Sequence, residues 1–170
     1  MASERRRKKH AEIAVVGEVD EWVKDVVEAL LEVPPGGACT LYIDSMGGSV
    51  YGALAVTVLL RQRRIDATAL VLGECSSASL LLFAACQRRL VSRYSTHLFH
   101  RMRWQSEKRC DSVEAAQWAK HFDLVEKSTD ELMLRLFGKQ EKLLKHWIAE
   151  GRFVTGQEIA DAGLAELVEI

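Results

Sequence analysis

Thr40-Leu41-Tyr42-Ile43-Asp44-Ser45-Met46-Gly47-Gly48-Ser49-Val50 decides the fold: an apolar, strand-like run is cut by a glycine pair and continued by the helix-forming stretch 50–60. A strand, a glycine turn and a helix in that order aim backbone N–H groups and a helix N-terminus at one point, which suits a developing oxyanion. The arrangement recurs downstream. Residues 67–72 read as a second buried strand, Gly73-Glu74-Cys75-Ser76-Ser77 follows, and residues 78–86 are an apolar helix. The Ser77 hydroxyl therefore stands at the mouth of a second strand-to-helix turn. Residues 96–101 read as a further strand, whose period of two puts His100 on the face of Thr96 and Leu98, with His97 and Phe99 opposite. A base at the end of one strand then comes within reach of a nucleophile at the end of another, as serine hydrolysis requires.

Working outward, residues 12–19 read as a strand and 21–33 as an amphipathic helix with Val23, Val26, Val27, Leu30 and Leu31 on one face. Pro34-Pro35-Gly36-Gly37 marks the turn before the Thr40 strand. Strand followed by helix thus occurs three times, which predicts an α/β fold with a largely parallel sheet flanked by helices, since parallel neighbours need a crossover. Residues 89–92 and 96–101 are strand-like on either side of Arg93-Tyr94-Ser95. Residues 112–137 are helical throughout, a length that predicts a projecting helix. A helix over 140–150 ends at Gly151, and Thr155-Gly156-Gln157-Glu158 is a capping-box sequence before a short helix that stops at Gly163. Residues 164–170 are expected to close the chain as a strand.

With 170 residues and 48% hydrophobic content, the chain supports one domain with a full core. Residues 1–11 are expected to form a basic flexible tail and 12–170 a single domain. A formal net charge of -1 argues against a polyanionic partner, and Arg5-Arg6-Arg7-Lys8-Lys9 is short enough to be a solvated terminus, so no nucleic acid is expected. Cys39, Cys75, Cys86 and Cys110 show no metal-ligand spacing, which predicts reduced thiols, a cytoplasmic location and no metal or organic cofactor. No stretch of about 18 apolar residues is present, so no membrane span is expected.

The segments 41–50, 73–77, 96–100 and 152–164 together resemble the proteolytic subunit family of the Clp proteases (ClpP), within the ClpP/crotonase fold. Residues 41–50 resemble the family's YINSPGGSV, with Asp44 for Asn and Met46 for Pro. Gly73-Glu74-Cys75-Ser76-Ser77 resembles its GxAAS, and residues 152–164 resemble its RFLSAxEAxxYGLxD. The resemblance implies Ser77 as nucleophile, His100 as base, and an oxyanion hole from backbone N–H groups of Gly47, Gly48 and Ala78. It further implies peptide or unfolded-protein substrates and a homo-oligomeric ring in which helix 112–137 is the handle. Three departures stand out. The family's aspartate before Arg152-Phe153 is replaced by Gly151, with Glu150 as a possible acid; MGA after the nucleophile is Ala78-Ser79-Leu80; and the axial loops that would meet an ATP-driven unfoldase are short or missing.

Two functions follow as expectations. One is a ClpP-like serine peptidase; the alternative is a catalytically silent ClpP-like subunit that acts in assembly, which Gly151 favours and Ser77 with His100 opposes. A crotonase-type acyl-CoA enzyme shares the fold but has no need of a Ser/His pair. Ser76 and Ser79 read as turn or cap serines. Cys75 reads as core, Trp104, Trp118 and Trp147 as packing or interface residues, and His10, His97, His121 and His146 as structural or exposed.

Overall fold

The computed structural model describes residues 10–105 and 109–170; residues 1–9 of the expected tail lie outside them. Three strand–helix units open the chain: β1 (Ala11–Glu18) with α1 (Val19–Glu32), β2 (Ala38–Gly47) with α2 (Val50–Gln62), and β3 (Asp66–Cys75) with α3 (Ser79–Ala85). There follow β4 (Arg88–Val91), β5 (Thr96–Leu98), α4 (Ser112–Phe137), α5 (Glu141–Glu150), β6 (Phe153–Thr155), α6 (Gly156–Asp161) and β7 (Glu166–Leu167). The strands order as β1-β2-β3-β4-β7, all parallel, with β5 branching from the end of β3 and pairing antiparallel with β6. The expected α/β architecture is present.

Parallel neighbours are regular from Ala11↔Cys39 to Val16↔Asp44 and from Ala38↔Asp66 to Ile43↔Val71. Both ladders then shift register, between Val16 and Glu18 and between Ile43 and Ser45. The irregularity falls at the carboxyl ends of the strands, where open α/β sheets place their ligands. Along β2 and β3, Cys39, Leu41 and Ile43 and Ala67, Ala69 and Val71 are buried, while Thr40, Tyr42, Thr68 and Leu70 between them are only half-buried. The strands read as buried are therefore buried on one face. On the other, Tyr42 Oη donates to Glu12 Oε1 (2.8 Å), and Thr40 Oγ1 lies 2.7 Å from His10 Nε2.

The aromatic side chains Phe83, Phe99, Phe137 and Trp147 join α3, the end of β5, α4 and α5. Ring centroids are 6.2 Å apart for Phe83–Phe137, 6.4 Å for Phe99–Phe137 and 5.2 Å for Phe99–Trp147. Only the inner part of α4 takes part: Thr129, Met133 and Phe137 are its buried residues, and the turns before them stand clear of the core. Asp111 caps the N-terminus through Val113 N–H and Glu114 N–H, and Gly138, in the left-handed region, ends the helix. The Thr155–Glu158 capping box forms as the sequence indicates.

Four details differ from the sequence reading. In α1 the buried stripe is Val19, Trp22, Val26 and Leu30, and Leu31, one residue further round, is 51% exposed. Strand β5 ends at Leu98, because beyond the Phe99 N–H bond to Arg152 O (3.0 Å) the backbone turns toward α4. β6, three residues long, escapes notice in the sequence, and the closing strand shrinks to the two residues of β7.

His97 is fully buried, 3.2 Å from Ser95 Oγ and 5.6 Å from the Phe83 ring, and burial drives its pKa down to about 4. It is neutral in the fold, whereas the unfolded chain takes up a proton below the usual 6.5. Stability should therefore fall by roughly 3 kcal/mol as pH drops from that value to the folded pKa, and then level off. Asp130, with its carboxyl raised, works in the opposite direction, so the His97 contribution is the difference between urea titrations of wild type and His97→Gln over this range. The variant should lose the His97 slope. Phe83→Ala should cost about 3–5 kcal/mol in the same titrations at neutral pH, since it removes the ring shared by α3, β5 and α4.

Candidate active site

Two turns meet at the carboxyl ends of β2 and β3. Gly47 (φ 98°) and Gly48 (φ 128°) lead from β2 to α2, and Ser77 (φ 57°) leads from β3 to α3. A positive φ at a serine is strained by about 1–3 kcal/mol and persists only where the surroundings impose it. Here they do. A Cβ placed on Gly47 would lie 2.7 Å from both Ser76 O and Ser77 Cβ, so only a glycine lets β2 approach the Ser77 turn this closely.

The buried serines hold the turns together. Ser45 Oγ donates to Gly17 O (2.7 Å) and accepts from Trp22 Nε1–H and Gly47 N–H, both at 3.3 Å. Ser45 O in turn accepts from Ser76 N–H (2.9 Å) and from Ser79 Oγ (3.1 Å). Ser77 N–H donates to Leu98 O (2.9 Å), and Leu98 N–H donates to Ser76 Oγ (3.0 Å). Ser76 is thus a turn serine as read, Ser79 lies one residue past the cap of α3 with its Oγ also 2.7 Å from Ser76 O, and the two join β2, β3 and β5.

Ser77 and His100 line one cleft of about 240 Å³, with Gly48 and Ala78 beside them, Val50, Leu81, Met102 and Met133 as apolar wall, and Arg103, Thr129 and Asp130. Among the described residues no hydrogen bond joins Ser77 to His100. Gly47 N–H is engaged by Ser45 Oγ, whereas Gly48 N–H and Ala78 N–H have no partner among the described residues. Of the three donors that the resemblance implies, these two are without a hydrogen-bond partner among the described residues.

His100 Nδ1 lies 2.6 Å from Arg101 O. A carbonyl oxygen only accepts, so Nδ1 carries the proton, and in the neutral ring Nε2 keeps its lone pair. Glu150, at the exposed end of α5, is not among the residues lining the cleft. Gly151 (φ 64°) ends that helix, with its N–H donating to Ile148 O. The antiparallel pairs run Thr96↔Thr155, His97↔Val154 and Leu98↔Phe153, and the Phe99–Arg152 bond is the last between the two segments, which leaves Gly151 just beyond them at the end of α5. Nothing lies within 4 Å of a Cβ built there.

The inner turns of α4 supply two carboxylates that the sequence reading missed, because their spacing on a helix resembles an ordinary solvated face. Asp130 lines the cleft, and its pKa is raised to about 6 by burial, with the Glu126 charge adding and Arg101 opposing. Glu126 Oε1 accepts from Met102 N–H (3.1 Å) and Arg101 Nε–H (3.2 Å), and Oε2 from Arg101 Nη2–H (3.1 Å). Buried Cys75, with its thiol pushed up to about 12 by burial, is a core residue. Among the described residues no group of three His, Cys, Asp or Glu side chains is placed to hold a metal ion, and no helix is long and apolar enough to cross a membrane.

The parallel sheet, the abutting glycine and serine turns and the projecting helix agree with one comparison: the family model described as Clp protease matches residues 4–169. That match spans nearly the whole sequence, both turns and all of α4, and the chain belongs to the Clp protease family.

Proposed function

We propose that the protein is a ClpP-like serine endopeptidase in which Ser77 is the nucleophile and His100 the general base. The hydrogen bond from His100 Nδ1–H to Arg101 O carries this reading, because it leaves Nε2 as the basic nitrogen in the cleft that Ser77 also lines. As Ser77 Oγ bonds to the peptide carbonyl carbon, its proton passes to Nε2 and the carbonyl electrons move onto oxygen. Gly48 N–H and Ala78 N–H are the donors for that oxyanion. Collapse expels the amine, which takes the proton from Nε2, and water repeats the sequence on the acyl-enzyme.

The Arg101 carbonyl can fix the tautomer, but it offers the imidazolium a dipole where an aspartate offers a full charge. Loss of that acid costs about four orders of magnitude in a complete triad, so slow turnover is expected here. The substrates would be peptides or unfolded proteins, and the setting a homo-oligomeric ring in the cytoplasm with α4 as the handle between rings. Exposed Trp104 and Trp118, stacked at 6.1 Å beside the outer turns of α4, support association through that helix, and the free cysteines support a reducing compartment. The second reading, a silent subunit acting in assembly, is favoured by Gly151 and by the missing Ser77–His100 hydrogen bond.

A fluorophosphonate probe separates the two. Intact-mass measurement should find one label per chain, lost in Ser77→Ala and in His100→Ala; an assembled wild type that takes no label would establish the silent subunit. Gly151→Asp should raise the labelling rate by about 10-fold or more, because it returns a carboxylate to the position that the family resemblance gives to the acid, at a backbone cost of about 1 kcal/mol.

A further inference from the structure

We infer that Glu126 is a positioning residue for His100, acting through the peptide group between Arg101 and Met102. This rests on the reading of Ser77 and His100 as nucleophile and base. A trans peptide is planar, with its C=O and N–H pointing to opposite sides. The N–H of this one, at Met102, donates to Glu126 Oε1 at 3.1 Å, and the C=O, at Arg101, accepts the His100 Nδ1 proton at 2.6 Å. Glu126 therefore fixes the plane whose far edge selects the imidazole tautomer.

The carboxylate also acts by charge. Accepting from Met102 N–H polarises the amide and places more negative charge on Arg101 O, strengthening the bond to the imidazole as Nε2 takes a proton. A carboxylate on α4 thereby does at one remove what an acid at position 151 would do directly. The Arg101 guanidinium holds both Glu126 oxygens in place. As an ion pair this contributes little stability, because the Arg101 side chain is 71% exposed. Glu126 itself is 17% exposed, shielded at the base of the outer turns of α4. The arrangement makes sense as geometry rather than as a source of stability.

Two readouts test it on the full-length protein. The first is the fluorophosphonate labelling rate at Ser77. The second, independent of any chemistry at Ser77, is the tautomer of His100, read from the ring 15N shifts of histidine-labelled, sedimented protein by magic-angle-spinning NMR, with His100→Gln giving the assignment. Glu126→Ala should lower the labelling rate at least 10-fold and turn the pure Nδ1–H tautomer into a mixture. Glu126→Gln keeps an oxygen for Met102 N–H and should preserve the tautomer while recovering only part of the rate. Met102→Pro removes the N–H and leaves the Arg101–Glu126 pair; it should behave like Glu126→Ala and serves in its place if that variant does not fold. Lys127→Ala, which breaks the neighbouring exposed pair with Asp123, should change neither readout. An unchanged His100 tautomer in both Glu126→Ala and Met102→Pro overturns the inference. Wild type that takes no label overturns the hydrolytic reading instead, so the two failures are distinguishable.

Discussion

The site depends on the two hydrogen bonds that Leu98 makes with neighbouring serines, its carbonyl accepting from Ser77 N–H and its N–H donating to Ser76 Oγ. Among the described residues β5 meets β3 at one residue pair, Glu74↔Thr96, and its three pairs with β6 hold it from the other side. Leu98 ties the strand to the Ser76–Ser77 turn, and His100, two residues on, shares a cleft with Ser77. The strained backbone of Ser77 is held from the other side by Gly47, whose missing side chain lets β2 close against the turn. Ser45 links the two, since its hydroxyl engages Gly47 N–H and its carbonyl engages Ser76 and Ser79. The Ser77 turn, the glycine turn and the strand that leads to His100 are thus one network, in which the buried hydroxyls of Ser45, Ser76 and Ser79 all find partners.

Much of this is legible in the sequence because it is periodic or stereochemical. The strand–glycine–helix order at 40–60 can hardly be read otherwise, and burial of His97 and Phe99 against partial exposure of His100 follows from the alternation along 96–100. Both ends of α4 are marked by residues with a mechanism, Asp111 as cap and Gly138 as left-handed terminator. The partner of His100 is of another kind. It is a main-chain carbonyl, present at every residue, and only the bend after Leu98 singles out the one at Arg101. Glu126 is hidden for a related reason: on a helix otherwise exposed at its outer turns, a carboxylate near a lysine looks like solubility.

Gly151 shows how one position can serve fold and chemistry differently. As a helix terminator in the left-handed region it does what glycine does best, closing α5 so that Arg152 can accept from Phe99 N–H and begin the β5–β6 pairing. The same residue gives up the side chain that would meet the imidazole. With His100 as base, a backbone acceptor at Nδ1 would take over the orienting role of an acid, although not its charge.

The outer turns of α4 bury no residue against the core, yet Glu126 sits where those turns meet the inner ones. A helical stretch held by few contacts, here Trp104 on Phe122 and Tyr51 on His121, is marginal in water and frays from its free end inward. Fraying that reaches Glu126 would release Met102, then the Arg101 carbonyl, then the tautomer of His100. Whatever shields the aromatic cluster of Trp104, Trp118 and Phe122 would suppress that fraying, so that crowding at this surface would tighten the peptide group that His100 leans on.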